Sequence, residues 1–152
     1  MKVFETVDEL RAAAGEQLGY SDWHTVDQAQ VTAFAEATGD RQWIHVDTDR
    51  AASGPFGTTV AHGYLVLSML PMLASQVYRV AGLRMGLNYG LNRVRFPAPV
   101  PTGSKIRAGV RLVSVEDAPD GGIQVVAEAT VEREGGGPKP CCVAETVARF
   151  YV

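Results

Sequence analysis

"AHGYLVLSMLPMLASQVYRV", residues Ala61 to Val80, carries apolar side chains all the way round a helix. A surface helix would show one polar face, so this stretch predicts a buried helix at the centre of the domain. Pro71 has no backbone N–H and its ring clashes with the preceding turn, so we expect it to kink the helix or divide it near Leu70. Such a helix needs a partner that covers it on several sides.

Four extended segments follow the helix and can supply that cover. Apolar and polar residues alternate along them, and runs rich in Gly and Pro separate them, which favours antiparallel meander connections over crossover helices. The predicted strands are residues 86–96, 104–116, 123–134 and 141–152. The chain is therefore predicted to be one α+β domain over residues 1–152, with an antiparallel sheet wrapped around a central helix.

The residues before the central helix are expected to add smaller elements. These are a short helix over 7–14 ended by Gly15, an extended edge strand over 20–26, a helix from the N-cap Asp27 to the stop at Gly39, and one or two helical turns over 47–53. One helix cannot cover a wide sheet, and an exposed sheet edge invites pairing. We therefore expect a symmetric homodimer.

Composition excludes several classes of partner. The chain is 46% hydrophobic and 20% charged, with 14 basic and 17 acidic residues giving a net charge of -3. No basic stripe is present, so nucleic acid is not an expected partner. The N-terminus is charged and the longest apolar run, Gly63 to Val77, is interrupted, so no secretion signal or membrane span is expected. The only cysteines, Cys141 and Cys142, are adjacent and fit a reducing, cytoplasmic setting.

The loop TGDRQWIHVD, Thr38 to Asp47, is the first candidate for chemistry. Asp40 lies just beyond a helix end, and His45 lies between Ile44 and Val46, whose alternation predicts that the imidazole points away from the core. An acid and an imidazole that face one cleft can hold a water between them, one group accepting a proton while the other supplies one. The alternative is structural: Asp40 caps a turn and His45 is a surface residue.

The start of the central helix is the second candidate. Amides in the first turn of a helix lack intrahelical acceptors, and Gly63 has no Cβ to keep a ligand from its N–H, so a carbonyl oxygen gaining negative charge would be stabilised there. Alternatively, Gly63 allows a close crossing of helix and strand. His62 is either a second imidazole in the cleft or a buried, hydrogen-bonded histidine. The three histidines show no local metal-ligand spacing such as HExxH, so no metal is expected.

Taken in order, TGDRQWIH and GPFGTTVAHGYLVLS resemble the signature of the MaoC-like (R)-specific enoyl-CoA hydratases, the hydratase 2 group. The segment VRFPAPVPTGSKIR, Val94 to Arg107, is similar to the strand and turn that follow the central helix in that family. The resemblance extends from about Asp27 to the C-terminus. It implies a hot-dog fold, in which a sheet wraps a central helix and two chains form a homodimer with active sites at or near their interface.

The resemblance also implies an activity and assigns residues to it. Family members hydrate trans-2-enoyl-CoA thioesters to (R)-3-hydroxyacyl-CoA without a metal or redox cofactor. Asp40 and His45 would be the catalytic pair that activates the water, and the Gly63 amide would bind the thioester carbonyl. Ser68 stands where the family often has a serine that lines the site, and Asn92 is a further candidate for the substrate pocket. Short to medium acyl chains are expected.

One departure from the family pattern affects the loop. The family usually reads Asp-x-Asn-Pro-aliphatic-His, whereas this chain has Gln42 and Trp43 in place of Asn and Pro, which is similar to the nodulation-protein-N-like branch. Three other functions are compatible with the same residues. A hot-dog acyl-CoA thioesterase would hydrolyse the same ligand, a dehydratase acting on acyl carrier protein would run the chemistry in reverse, and a non-catalytic acyl-CoA-binding protein would leave the ligand unchanged.

Overall fold

The computed structural model describes all residues from 1 to 152 and contains six short helices and eight strands. The helices are α1 (Val7–Ala12), α2 (Gln28–Thr38), α3 (Trp43–Val46), α4 (Thr48–Ala52), α5 (Gly63–Ser68) and α6 (Leu70–Ser75). The strands are β1 (Lys2–Phe4), β2 (Gln17–Tyr20), β3 (His24–Thr25), β4 (Tyr78–Val80), β5 (Met85–Arg95), β6 (Lys105–Asp117), β7 (Ile123–Arg133) and β8 (Cys142–Tyr151). None of the helices has the length and apolar character needed to cross a membrane.

Six of the strands form one antiparallel sheet. Its order is β2-β6-β7-β8-β5, and β3 pairs with the same strand, β6, as β2 does. The four long strands, β5 to β8, begin and end within one residue of the predicted segments. In β6, β7 and β8 buried side chains recur on the core-facing side, whereas nearly all of β5 is exposed. The remaining two strands, β1 and β4, form a separate parallel pair that the sequence did not reveal.

The central helix packs against this sheet, as the hot-dog arrangement requires. Leu65, Leu70 and Leu73 belong to the largest buried cluster, together with inward-facing residues of the sheet such as Ile106 and Val131. The predicted division near Leu70 is confirmed, since α5 ends at Ser68 and α6 begins at Leu70. Pro71 occupies the first turn of α6, where its missing N–H deprives the helix of no hydrogen bond. The predicted helical span up to residue 80 is wrong, because residues 78–80 pair with β1.

The predicted meander is correct for β6, β7 and β8 and wrong for β5. That strand pairs only with β8, so the segment PAPVPTG carries the chain from one edge of the sheet to β6. The segment is anchored to the start of α5: the Ala61 amide donates to the Val100 carbonyl at 2.8 Å, and Val60 forms an isolated bridge with Pro101. These contacts explain why this Pro-rich run is a crossing connection instead of a hairpin turn.

Smaller corrections concern the N-terminal third. The first helix ends at Ala12, two residues before the predicted end, and the Gly15 amide donates to the Leu112 carbonyl of β6 at 2.8 Å. The predicted edge strand over 20–26 is wrong for most of its length, because β2 ends at Tyr20 and β3 contains only His24 and Thr25. The cap and stop of α2 are confirmed. The Asp27 side chain accepts from the Gln30 amide at 2.8 Å, and Gly39 has a φ of 80°.

Candidate active site

Two chain segments, residues 40–46 and 59–63, form the centre of the site. The left-handed conformation of Gly39 turns the chain out of α2, and the first segment then runs through α3. The Val60 amide of the second segment donates to the Ile44 carbonyl of the first at 2.9 Å. This main-chain bond holds the loop that carries Asp40 and His45 close to the start of the central helix.

His45 is buried, with 6% of its surface exposed, so the prediction that its ring points away from the core is wrong. The alternation argument assumed an extended segment, whereas residues 43–46 form the short helix α3, in which neighbours do not alternate between faces. Its Nδ1 lies 2.6 Å from the Val60 carbonyl oxygen. A carbonyl can only accept, so Nδ1 carries the proton and Nε2 of the neutral ring keeps its lone pair. The ring is thus held in the tautomer that a general base at Nε2 requires.

His62 stacks on His45. The ring centroids are 3.7 Å apart with an interplanar angle of 23°, and His62 is only 2% exposed. Its Nε2 donates to the backbone carbonyl of Asp40 at 2.9 Å, whereas its Nδ1 is buried without a hydrogen-bond partner. The predicted alternatives for His62 are therefore both realised, because it is a buried, hydrogen-bonded histidine and also a second imidazole beside His45.

Asp40 is exposed and lies beside the two rings. One nitrogen or oxygen atom from each of Asp40, His45 and His62 lies within 4.8 Å of the others. A carboxylate oxygen of Asp40 lies 3.4 Å from the Gln42 amide, a weak Asx-type contact. The structure therefore brings the two residues of the predicted catalytic pair together, although five positions separate them in the chain.

The same three side chains are of the types that ligate metals, but their geometry does not suit one. The lone pair of an imidazole nitrogen lies in the plane of its ring, and a metal ion sits in that plane about 2 Å from the nitrogen. Stacked rings such as those of His45 and His62 have nearly parallel planes, so their lone pairs do not converge on one ion. The arrangement is better suited to holding a proton and a water than to coordination.

A partly buried polar network that the sequence did not reveal supports His45. The Gln28 side chain donates to the His45 carbonyl at 2.8 Å and accepts from the Thr59 hydroxyl at 2.6 Å. Thr59 is 2% exposed and precedes Val60, the residue that accepts from the imidazole. A signal was present in the sequence: Gln28 shares the buried face of α2 with Val31, three positions later, and a polar residue there requires a partner.

Gly63 is the first residue of α5 and follows His62 directly. A Cβ built at Gly63 would lie 2.8 Å from the ring of Phe96, so the glycine does allow the close approach that was its structural alternative. Gly63 and Phe96 also line an apolar cavity of about 250 Å³, to which Phe56 and Cys141 contribute. Burial raises the pKa of the Cys141 thiol, which keeps this lining uncharged.

The other two predicted residues lie elsewhere. Ser68, the last residue of α5, donates to the Tyr64 carbonyl at 2.6 Å and lines a second, mainly apolar cavity of about 680 Å³. Asn92 lies on β5, and its side chain donates to Glu145 of the neighbouring strand at 2.8 Å. Neither residue contacts the Asp40 and His45 pair through these bonds, and their roles stay predictions.

Comparison with known proteins finds a matching family and several similar proteins. The MaoC like domain family matches residues 9–134. The chain is 57% identical over 150 residues to 3-hydroxyacyl-thioester dehydratase Z of Mycobacterium tuberculosis, covering 99% of each chain. It is 47% identical over 128 residues to nodulation protein N of Rhizobium leguminosarum bv. viciae, covering 83% of this chain and 80% of that protein. A solved (R)-hydratase from A. caviae has a TM-score of 0.70 at 24% identity, covering 88% of this chain and 95% of the other, and it shares the fold.

Proposed function

Because this chain belongs to the MaoC-like domain family, we propose that it catalyses the (R)-specific hydration of trans-2-enoyl-CoA thioesters to (R)-3-hydroxyacyl-CoA, or the reverse dehydration. The observation that carries the proposal is the pairing of His45 with Asp40. Val60 holds the His45 proton on Nδ1, and the free Nε2 belongs to a ring that lies beside the Asp40 carboxylate. The name of its relative, a 3-hydroxyacyl-thioester dehydratase, describes the same reaction in reverse.

The proposed chemistry uses one water and two proton transfers. Groups up to 4.8 Å apart can share a water through two hydrogen bonds of about 2.8 Å, so Asp40 and His45 can hold the attacking water between them. Its oxygen bonds to C3 of the enoyl group, one of its protons passes to the pair, and a proton from the pair is delivered to C2. The Gly63 amide donates to the thioester oxygen while negative charge gathers on it. We leave open how Asp40 and His45 divide the two transfers.

We assign the smaller cavity to the acyl chain, because Gly63, whose amide is proposed to bind the thioester oxygen, is part of its lining. That lining is mainly apolar and also includes Val66 of α5, Phe96 and Val100. Apolar lining of this kind gains free energy when a hydrocarbon chain replaces water. Short to medium chains remain the expectation, and a series of enoyl-CoA lengths tests it.

We propose a homodimer formed along β5. This strand is an edge of the sheet, with backbone groups on one side that pair with no other strand. It exposes large apolar side chains, among them Leu87 at 45% and Tyr89 at 63%. A second copy would cover both the edge and these side chains. Sedimentation or light scattering tests this: a mass of one chain at micromolar concentration would contradict the homodimer.

We further propose that the reaction needs neither a metal nor a redox cofactor. Hydration is a proton-transfer reaction without a change of oxidation state, and the pair supplies both an acid and a base. The stacked rings of His45 and His62 support this, since their lone pairs do not converge. Undiminished turnover after treatment with a chelator is expected. A cytoplasmic setting, which the free thiols of Cys141 and Cys142 fit, stays a prediction.

The decisive experiment measures crotonyl-CoA hydration with the wild type and with Asp40→Asn and His45→Gln. Each variant should lose roughly 10²- to 10⁴-fold in kcat, the usual contribution of a general acid or base. Matched controls are Asp49→Asn, an exposed carboxylate near the loop, and His24→Gln, a half-buried histidine outside the site. Retention of activity within about threefold in either site variant would remove the assignment of the pair.

The same assay separates the alternative functions. Loss of the enoyl absorbance without release of free thiol indicates hydration, and chiral analysis of the product should give the R configuration. Release of thiol would instead identify a thioesterase. Binding of enoyl-CoA without any change in it would identify a non-catalytic binding protein. Repeating the assay with enoyl groups on acyl carrier protein establishes which carrier is preferred.

A further inference from the structure

His62 occupies a place in the site that the proposed chemistry leaves without a role. Its Nε2 donates to the Asp40 carbonyl at 2.9 Å, and one face of its ring covers His45 at 3.7 Å. Phe34 of α2 packs against the same ring, with centroids 4.9 Å apart. His62 therefore contacts both members of the proposed catalytic pair and is held by a third element.

We propose that His62 is a positioning residue, which holds the Asp40 main chain through its Nε2–H and thereby places the Asp40 carboxylate beside His45. This inference rests on the proposed function. Asp40 needs such support, because its own side chain is exposed and its amide lies 3.4 Å from the Thr38 hydroxyl, a long and weak contact. The bond from His62 is the short one that holds residue 40.

The anchor at the other end of that bond is rigid. The His62 carbonyl accepts from the amides of Leu65 and Val66, at 3.0 and 3.2 Å, so its main chain is part of the first turn of α5. The side chain does not cap that helix, although it stands at the N-cap position. It reaches across to Asp40 instead. Because Gly63 is the next residue, one anchored turn sets the positions of both the acid and the amide that is proposed to bind the thioester oxygen.

The unpartnered Nδ1 of His62 argues against a purely structural role. A buried nitrogen that makes no hydrogen bond lowers stability, and an apolar ring would fill the same space without that cost. The Nδ1 side of the ring therefore gives no reason for histidine here, and the reason lies at Nε2. The donor on Nε2, which phenylalanine lacks and glutamine can supply, is what sets histidine apart from an apolar residue of similar shape.

The test compares His62→Gln with His62→Phe in the crotonyl-CoA assay. Glutamine places an N–H near the position of Nε2, whereas phenylalanine keeps the ring and the stack but donates nothing. We expect the Phe variant to lose about tenfold in kcat, which corresponds to the net worth of one hydrogen bond, with KM changed less than about twofold. The Gln variant should stay within about threefold of the wild type in kcat. Thermal unfolding of both variants shows whether each is folded.

Each other outcome overturns the inference. Full kcat in the Phe variant would show that the bond to Asp40 is dispensable. Equal loss in the Gln variant would show that the ring and not the donor matters. A Phe variant that loses kcat only in proportion to folded protein would show a structural role.

Nitrogen NMR of the wild type gives a readout that needs no variant. His62 should be the Nε2–H tautomer and His45 the Nδ1–H tautomer, and finding the proton of His62 on Nδ1 would contradict the proposal. Failure of the proposed function is distinguishable from failure of this inference. A wild type that hydrates no enoyl thioester refutes the function, whereas an active wild type with a fully active Phe variant refutes only the role of His62.

Discussion

Gly63→Ala tests the proposed binding of the thioester oxygen, and the structure sets the size of the effect. The added Cβ would lie 2.8, 2.9 and 3.1 Å from three carbons of the Phe96 ring, whereas ordinary van der Waals contact begins at 3.4 Å. The nearest pair must therefore separate by the difference between 2.8 and 3.4 Å, about 0.6 Å. Either the ring moves away or the first turn of α5 moves and takes the amide with it.

A displaced Gly63 amide should lower kcat more than it lowers the stability of the fold. Removing a donor of this kind typically lowers kcat by ~10²- to 10³-fold, and a misplacement of about 1 Å can cost on the order of 10²-fold. With a shift of about 0.6 Å shared between helix and ring, we expect kcat of Gly63→Ala to fall by roughly 10- to 100-fold. The fold should survive, since Gly63 is not in the left-handed region and alanine favours helix more than glycine does.

The crotonyl-CoA assay with a double-mutant cycle isolates the cause. Phe96→Ala removes the ring that the Cβ would meet. Adding Gly63→Ala to Phe96→Ala should therefore lower kcat much less than adding it to the wild type does. Full kcat in Gly63→Ala would refute the assignment of the amide. A loss that Phe96→Ala fails to relieve would refute the steric reasoning.

Two further predictions concern partly buried polar side chains. Gln28→Leu removes the hydrogen bonds to the His45 carbonyl and to Thr59. We therefore expect a loss of about 2–3 kcal/mol in the free energy of unfolding and a lower kcat, relative to the exposed control Gln17→Leu. Equal stability of the two variants would contradict this prediction. Burial raises the pKa of Tyr78 to about 12, which favours the neutral phenol in the folded protein. That stabilisation is present below pH 10 and is lost as the pH rises toward 12, up to about 3 kcal/mol. Urea titrations across this range should show the loss of stability in the wild type and a smaller loss in Tyr78→Phe. A smaller loss remains in that variant because burial also raises the pKa of the Cys142 thiol, from its ordinary 9 to about 11.

The sequence predicted those parts of the fold whose signals are local. Alternation located β6, β7 and β8 because each has one buried face, and capping chemistry located both ends of α2 through Asp27 and Gly39. The pairing of strands is not local. PAPVPTG has the composition of a hairpin turn, and only its bonds to residues 60 and 61 make it a crossing connection. Contacts with residues that are about 40 positions away in the sequence therefore decide how β5 connects to β6.

The site shows the same division. The family resemblance located Asp40 and His45, and the structure brings them together. The orientation of His45 was predicted wrongly, because its ring turns inward to reach a carbonyl fifteen residues later, which no pattern within the loop encodes. Gln28 was missed for the same reason, since its partners His45 and Thr59 are remote in sequence. Residues that position other residues are hard to find from sequence when their partners are distant.

The unusual pair Gln42-Trp43 now has a physical account. Where the family usually has proline, Trp43 is the first residue of α3, the helical position at which proline is most easily accommodated. Gln42 has φ -56° and ψ 139°, the extended conformation that a residue before proline adopts. The main chain of the loop thus has the conformation that suits proline at position 43, although the residue there is tryptophan. The Trp43 ring lies 4.3 Å from the Arg50 guanidinium and packs so closely on Gly54 that a Cβ there would lie 3.0 Å away. Side-chain contacts on the outside of the loop therefore replace the rigidity that proline would build into its main chain, and His45 keeps its place.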